Sequence, residues 1–173
     1  CMKTTGITRR IDELGRIVIP KEIRKNMHIK PGELLEIYLS DTETIVLKKH
    51  ALINNNQEFI NCFIKSLSSK IHGQICLTNL DEITFSNNEN VSGLKISEDL
   101  ERIINGELHP SSLEKISLAN DYVIEKPFDV YPVSPNGDIA GLLIISYNEN
   151  LTEEEDSLIK FSTAFLKNYL EEI

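Results

Sequence analysis

The first fifty residues hold more large aliphatic side chains than so short a segment can bury by itself, and this surplus limits the fold more than any other feature. Ile7, Ile11, Leu14, Ile17, Ile19, Ile23, Leu35, Ile37, Leu39, Ile45 and Leu47 fall in short runs broken by turn signals. Gly6 to Ile11 reads as a strand, Glu13-Leu14-Gly15 as a turn, and Arg16 to Ile19 as a second strand stopped by Pro20. Pro20 opens a short helix with Ile23 and Met27 on one face, and Lys30-Pro31-Gly32 ends it in a type II turn. Leu35, Ile37 and Leu39 then alternate with Glu36 and Tyr38, and after the polar stretch Ser40 to Glu43 the run Thr44 to Leu47 returns as a hairpin. Four short strands and one short helix bury too little surface to offset the ordering of the chain. Two copies sharing one core would resolve the deficit, so an obligate homodimer is expected here.

His50 to Gln57, with three consecutive asparagines, reads as a linker, giving domains 1–50 and 58–173 with a linker at 51–57. The second domain opens on a helix, Glu58 to Ile71, with Phe59, Phe63, Leu67 and Ile71 at helical spacing. Strands are expected at Gln74 to Leu80, Glu82 to Ser86 and Tyr122 to Val133, and a helix at Ser97 to Asn105. Asn136-Gly137-Asp138 is a hairpin turn into Ile139 to Tyr147, an apolar strand buried on both faces. Thr152 and Glu155 make a capping box for a last helix whose inward stripe is expected at Leu158, Phe161, Phe165 and Tyr169. The pattern is α+β with an antiparallel sheet.

The net charge of -9 argues against a nucleic-acid partner only while it is averaged over the chain. Residues 1–50 hold ten Lys and Arg against seven Asp and Glu, a net +3, and the rest hold eight against twenty, a net -12. Arg9, Arg10, Arg16, Arg24 and Lys25 lie on or beside the turn and the short helix, and with Lys3 and Lys21 they form a set that a dimer doubles. No helix here is long and basic enough for major-groove reading of the helix-turn-helix kind, and the absence of aromatics before Tyr38 disfavours stacking on unpaired bases. The partner these features predict is double-stranded DNA.

Catalytic patterns are absent: His28, His50, His72 and His109 show no HxxxH or HExxH spacing, and no GxSxG or phosphate-binding loop occurs. No metal and no cofactor are expected. Cys62 and Cys76 lie in apolar stretches and read as inert core thiols. An odd cysteine count without CxxC spacing fits a reducing compartment, the cytoplasm, and no run approaches the length of a membrane span.

The run from Thr5 to Lys25, with Arg9-Arg10, Asp12-Glu13-Leu14-Gly15-Arg16, Pro20 and Arg24-Lys25, resembles the amino-terminal domain of the SpoVT/AbrB family of transcription regulators, and Pro31-Gly32-Glu33 and the hairpin to Lys49 continue the likeness. The resemblance implies a swapped-hairpin β-barrel, in which strands of two chains interleave, with DNA contacts at Arg9, Arg16, Arg24 and Lys25. Lys25 departs from the usual arginine; it keeps the charge but not the bidentate fork, which suits a phosphate better than a guanine. Total length, the acidic second half and Pro132-x-x-x-Asn136-Gly137-Asp138 resemble those members that join this unit to a GAF-like α/β domain and assemble as homotetramers. A GAF-like domain leaves room for a small-molecule effector, for which no ligand motif is matched. Two other classes compete: an antitoxin-like interaction module, since the same swapped hairpin serves some toxin-antitoxin pairs, and a GAF-type sulfoxide reductase using Cys62 or Cys76.

Overall fold

The structure, a computed structural model, describes residues 6–27, 29, 35–40, 43–49 and 52–172. The Pro31-Gly32 turn, Lys3 and the centre of the Ser40 to Glu43 turn lie outside the described residues. The chain divides into two units, residues 1–50 and 51–173.

In the first unit, α1 spans Lys21–Asn26 behind Pro20, whose carbonyl accepts from Arg24 N–H at 3.0 Å. Glu22 in its first turn and Arg24 and Lys25 in its last complement the helix dipole. Strands β1 (Leu35–Leu39) and β2 (Ile45–Lys49) pair antiparallel with Ile37 opposite Leu47 and Leu39 opposite Ile45, which puts the aliphatic side chains on one face. The strands expected over Gly6 to Ile11 and Arg16 to Ile19 are not formed within the single chain. A lone two-stranded pair is marginal in water, and the described residues of one copy supply no third strand for them. Pro20 is the one buried residue among those described here, and Ile11, Leu14, Ile17, Val18, Ile37, Leu39 and Ile45 are all more than half exposed.

The second unit begins inside the stretch expected to be a linker: α2 (Leu52–Asn55) is helical, Ile53 is buried in the core, and Asn54 accepts a hydrogen bond from Asn79 at 2.8 Å. There follow α3 (Gln57–Ser68), β3 (Gln74–Thr78), β4 (Ile83–Ser86), α4 (Glu98–Ile104), β5 (Lys115–Ala119), β6 (Tyr122–Glu125), β7 (Phe128–Val133), β8 (Gly141–Ser146) and α5 (Glu153–Glu171). The single strand expected from Tyr122 to Val133 is thus two, parted at Lys126-Pro127. Proline has no N–H to give a ladder, and β6 turns back on β5, a strand the apolar pattern did not predict. Loop residues Asn136 and Gly137 both take positive φ between β7 and β8, the left-handed turn that their types predict.

The central sheet runs β4-β3-β8-β7, antiparallel throughout. Both its faces are covered, and the continuous apolar run of β8 follows from that. Leu143 and Ile145 join Ile75, Leu77, Ile60, Ile64, Ile159 and Leu166 in one core cluster under α3 and α5. Leu142 and Ile144 join Cys76, Ile83, Leu100, Ile116 and Ile124 in the other, under α4 and the β5-β6 hairpin. Gly141 is where β8 passes closest to β3, since a Cβ there would stand 1.9 Å from the Thr78 carbonyl.

The last helix corrects an expectation. The capping box is formed as read, Thr152 Oγ1 accepting from Glu155 N–H and Glu155 from Thr152 N–H. The buried stripe, however, is Ile159, Ser162, Leu166 and Leu170, and the expected stripe lies one position over, with Phe161 and Phe165 exposed. The helix carries two neighbouring stripes; Ile159, Leu166 and Leu170, whose branched side chains fill the gaps between strands, turn into the core, Leu158 and Tyr169 pack partly against it, and the Phe161 and Phe165 rings are left outside. On α3 likewise Ile60, Ile64 and Leu67 are buried while Phe59 and Phe63 are partly exposed.

Candidate nucleic-acid interface

The residues from Arg9 to Arg16 form a tight loop whose shape follows from two side chains. Asp12 N–H donates to the Arg16 carbonyl at 3.1 Å and Gly15 N–H to the Asp12 carbonyl at 3.0 Å. That is a three-residue hairpin loop, a turn followed by a residue at positive φ, and Gly15 takes φ 76° at no steric cost. Asp12 opens the turn in the way aspartate favours: its Oδ1 accepts from Leu14 N–H at 3.0 Å and from Arg16 N–H at 2.8 Å. Its Oδ2 accepts from Arg16 Nε at 2.7 Å. The Arg16 backbone N–H, then its guanidinium, then the Leu14 N–H hold the Asp12 carboxyl below its usual value.

The five basic residues expected to meet DNA are distributed over two local structures. Arg9, Arg10 and Arg16 flank the loop and are exposed, with Arg9 Nη1 donating to its neighbour Thr8 C=O at 2.8 Å. Arg24 and Lys25 lie in the last turn of α1, Lys25 exposed and Arg24 half-buried, with Arg24 Nε enclosed and without a hydrogen-bond partner. Within one chain no described contact joins the two groups. The charge count over residues 1–50 gave Asp12 no part in the interface. The signal available was the spacing Asp12-x-x-Gly15-Arg16.

A second surface lies in residues 51–173. Phe59, Cys62 and Phe63 of α3 and Phe161 and Phe165 of α5 line a shallow apolar pocket of about 240 Å³. Phe63 stacks on Phe165 at 5.3 Å between ring centroids, Phe59 on Tyr169 at 3.9 Å, and Phe161 on Phe165 at 6.1 Å. Cys62 is therefore exposed rather than a core thiol, whereas Cys76 is buried, bonded to Ser86 Oγ at 3.2 Å, its pKa pushed up by burial. Among the described residues no group of three or more His, Cys, Asp or Glu side chains could hold a metal ion, and no helix is long and apolar enough to cross a membrane.

Comparison with known proteins adds three likenesses. Residues 8–53 match a family model described as antidote-toxin recognition MazE, bacterial antitoxin. Stage V sporulation protein T of Bacillus subtilis (strain 168) is 31% identical over 180 residues, covering 99% of this chain and 100% of that protein. Transition state regulatory protein AbrB of the same organism is 55% identical over 49 residues, 28% of this chain and 50% of that protein.

Proposed function

The chain belongs to the SpoVT/AbrB family, and from that premise we propose that it is a double-stranded-DNA-binding transcription regulator of sporulation or transition-state genes, acting in the cytoplasm at the nucleoid. The observation that carries this reading is the pairing, within residues 6–27, of exposed aliphatic side chains with a loop and helix end that bear Arg9, Arg10, Arg16, Arg24 and Lys25. Ile7, Ile11, Leu14, Ile17 and Val18, with Ile37, Leu39 and Ile45 of the hairpin, expose more apolar surface than a lone soluble unit keeps in water. In a swapped-hairpin homodimer the segments on either side of the Asp12–Arg16 loop would ladder with the partner's, cover those side chains and bring two sets of basic residues onto one duplex. Most contacts would fall on phosphates, with sequence read at few base edges and through duplex shape.

In this reading residues 58–173 are a GAF-like domain for assembly. Its aromatic pocket, Phe59, Phe63, Phe161 and Phe165, would meet the same face of a second dimer and close a homotetramer. Effector sensing has less support: Cys76, Ile83, Leu100, Ile116 and Ile144 pack together in one core cluster between the central sheet, α4 and the β5-β6 hairpin. A second reading, an antitoxin-like module, draws on the description of the matching family model. Against it, α5 is folded into the core through Ile159, Leu166 and Leu170, which leaves it unavailable as a tail to wrap a toxin.

The test is binding of the full chain to labelled duplex DNA over a range of salt. Affinity should fall by roughly 0.9 log units per log unit of salt for each phosphate contacted, and Arg24→Ala should lower both the affinity and that slope. Failure of the wild-type chain to bind any duplex at low salt would remove this reading.

A further inference from the structure

Among the basic residues Arg16 is held in a manner that suits it to a different task. A guanidinium offers five N–H donors in a fixed plane, and Arg16 gives Nε to Asp12 Oδ2 at 2.7 Å. The carboxylate that receives it cannot swing away, because its other oxygen is bonded to the backbone N–H groups of Leu14 and Arg16 at 3.0 and 2.8 Å. The two terminal nitrogens of Arg16 remain as a fork on a side chain that is 73% exposed. A fork fixed in advance loses less freedom on binding than a free side chain does.

Two kinds of acceptor fit a two-donor fork, a pair of phosphate oxygens or the N7 and O6 edge of guanine. Asp12 decides between them. A phosphate brought onto the fork carries its full negative charge towards a carboxylate one side-chain contact away, whereas the guanine edge is neutral. Arg9 turns a terminal nitrogen to the neutral Thr8 carbonyl, and Arg24 and Lys25, in the last turn of α1, have no carboxylate held against them in this way among the described residues. We propose that Arg16 is the residue of this set that reads sequence, taking N7 and O6 of a guanine in the major groove, and that Asp12 is the positioning residue that holds it there. This rests on the DNA-binding reading above.

The experiment is selection of duplexes by the full chain from a library with a randomised core, run in parallel for wild type, Asp12→Asn and Arg16→Gln. Asparagine keeps an oxygen for the Leu14 and Arg16 N–H groups but offers an amide nitrogen where Arg16 Nε needs an acceptor, so it preserves the loop and removes the hold. Wild type should enrich one guanine per half-site. Both variants should lose that guanine while keeping the remaining preferences; Asp12→Asn should bind unselected duplex no more weakly than wild type, whereas Arg16→Gln, which loses a positive charge, should bind it more weakly and with a shallower salt dependence. Replacing the selected guanine by 7-deazaguanine, which lacks N7, should weaken wild type roughly fivefold or more and leave Asp12→Asn unaffected. If Asp12→Asn still selects the guanine with the same 7-deazaguanine penalty, Asp12 does not position Arg16 and the proposal is wrong. Should Asp12→Asn fail to fold, Arg16→Gln decides, since retention of the guanine by that variant also overturns it. Wild type selecting duplexes without a guanine would sink this inference and spare DNA binding; wild type binding no duplex would sink both.

Discussion

If the proposed homotetramer closes through the aromatic face, removing two rings from it should halve the assembly without loosening the fold. Phe161 is 65% exposed and Phe165 40%. With on the order of 200 Å² for a phenylalanine, the pair leaves roughly 200 Å² of ring in water on each chain. Covering that area stabilises by about 25 cal/mol per Å², or about 5 kcal/mol per chain and twice that for a two-fold contact. The freedom lost in association offsets about 4 to 15 kcal/mol of any interface, so a face of this size has little to spare once its two most exposed rings are gone. Phe161→Ala with Phe165→Ala should therefore weaken the second self-contact at least about a thousandfold, some 4 kcal/mol of the total. Sedimentation of the full chain reads the outcome: wild type near 79 kDa, about four copies of the 19.7 kDa chain, and the double variant near 39 kDa, about two copies. Its melting temperature and far-ultraviolet spectrum should stay close to wild type, because neither ring is in the core. A double variant that still sediments as a tetramer, or a wild type that never exceeds a dimer, refutes the reasoning.

The neighbouring stripe should respond in the opposite way. Leu166 is fully buried, so Leu166→Ala should cost about 2 to 5 kcal/mol in urea unfolding; a loss below about 1 kcal/mol would mean that α5 does not seal this core. Glu155 gives a pH signature. The Thr152 backbone N–H, then the His72 backbone N–H and ring, hold its carboxyl down at about 2 against 4.5 ordinarily. A carboxylate whose folded pKa is depressed stabilises in full above its unfolded value and ceases to do so as pH falls towards its folded value. Melting temperature should thus drop between pH 4.5 and about 2, and Glu155→Gln should flatten the drop in that window; an unchanged slope would show that the His72–Glu155 contact is not kept in solution.

What the sequence made legible depended on whether the information was local. The capping box needs only Thr152 and Glu155 three residues apart, and the burial of β8 on both faces needs only its unbroken run of apolar side chains. The basic loop was legible as a turn with arginines on it, but not as a device. That required knowing that one Asp12 oxygen would serve two backbone amides and leave the other for Arg16. The stripe on α5 was misjudged because two apolar stripes run side by side, at 158, 161, 165 and 169 and at 159, 162, 166 and 170. Periodicity locates an apolar face but does not tell which of two adjacent ones the sheet will take. Bulk favoured the phenylalanines; shape favoured Ile159 and Leu166.

The two apolar surfaces left outside differ in chemistry, and the difference bears on how an assembly would act on DNA. The first unit exposes aliphatic side chains along segments that need strand partners, and the second exposes stacked rings on helices that are already complete. In the proposed swapped-hairpin dimer the interleaving of strands would be part of folding the first unit, so that contact would be permanent. Docking two finished helical faces is not, and its strength would depend on protein concentration. In the proposed tetramer the rings would then join two DNA-binding dimers whose second contact with a duplex is intramolecular once the first is made. Affinity for paired sites can rise by about two to four orders of magnitude through such linkage without any new contact to DNA. The aromatic face would in that way set the response to concentration, while Arg16 and Asp12 would set which sites are bound.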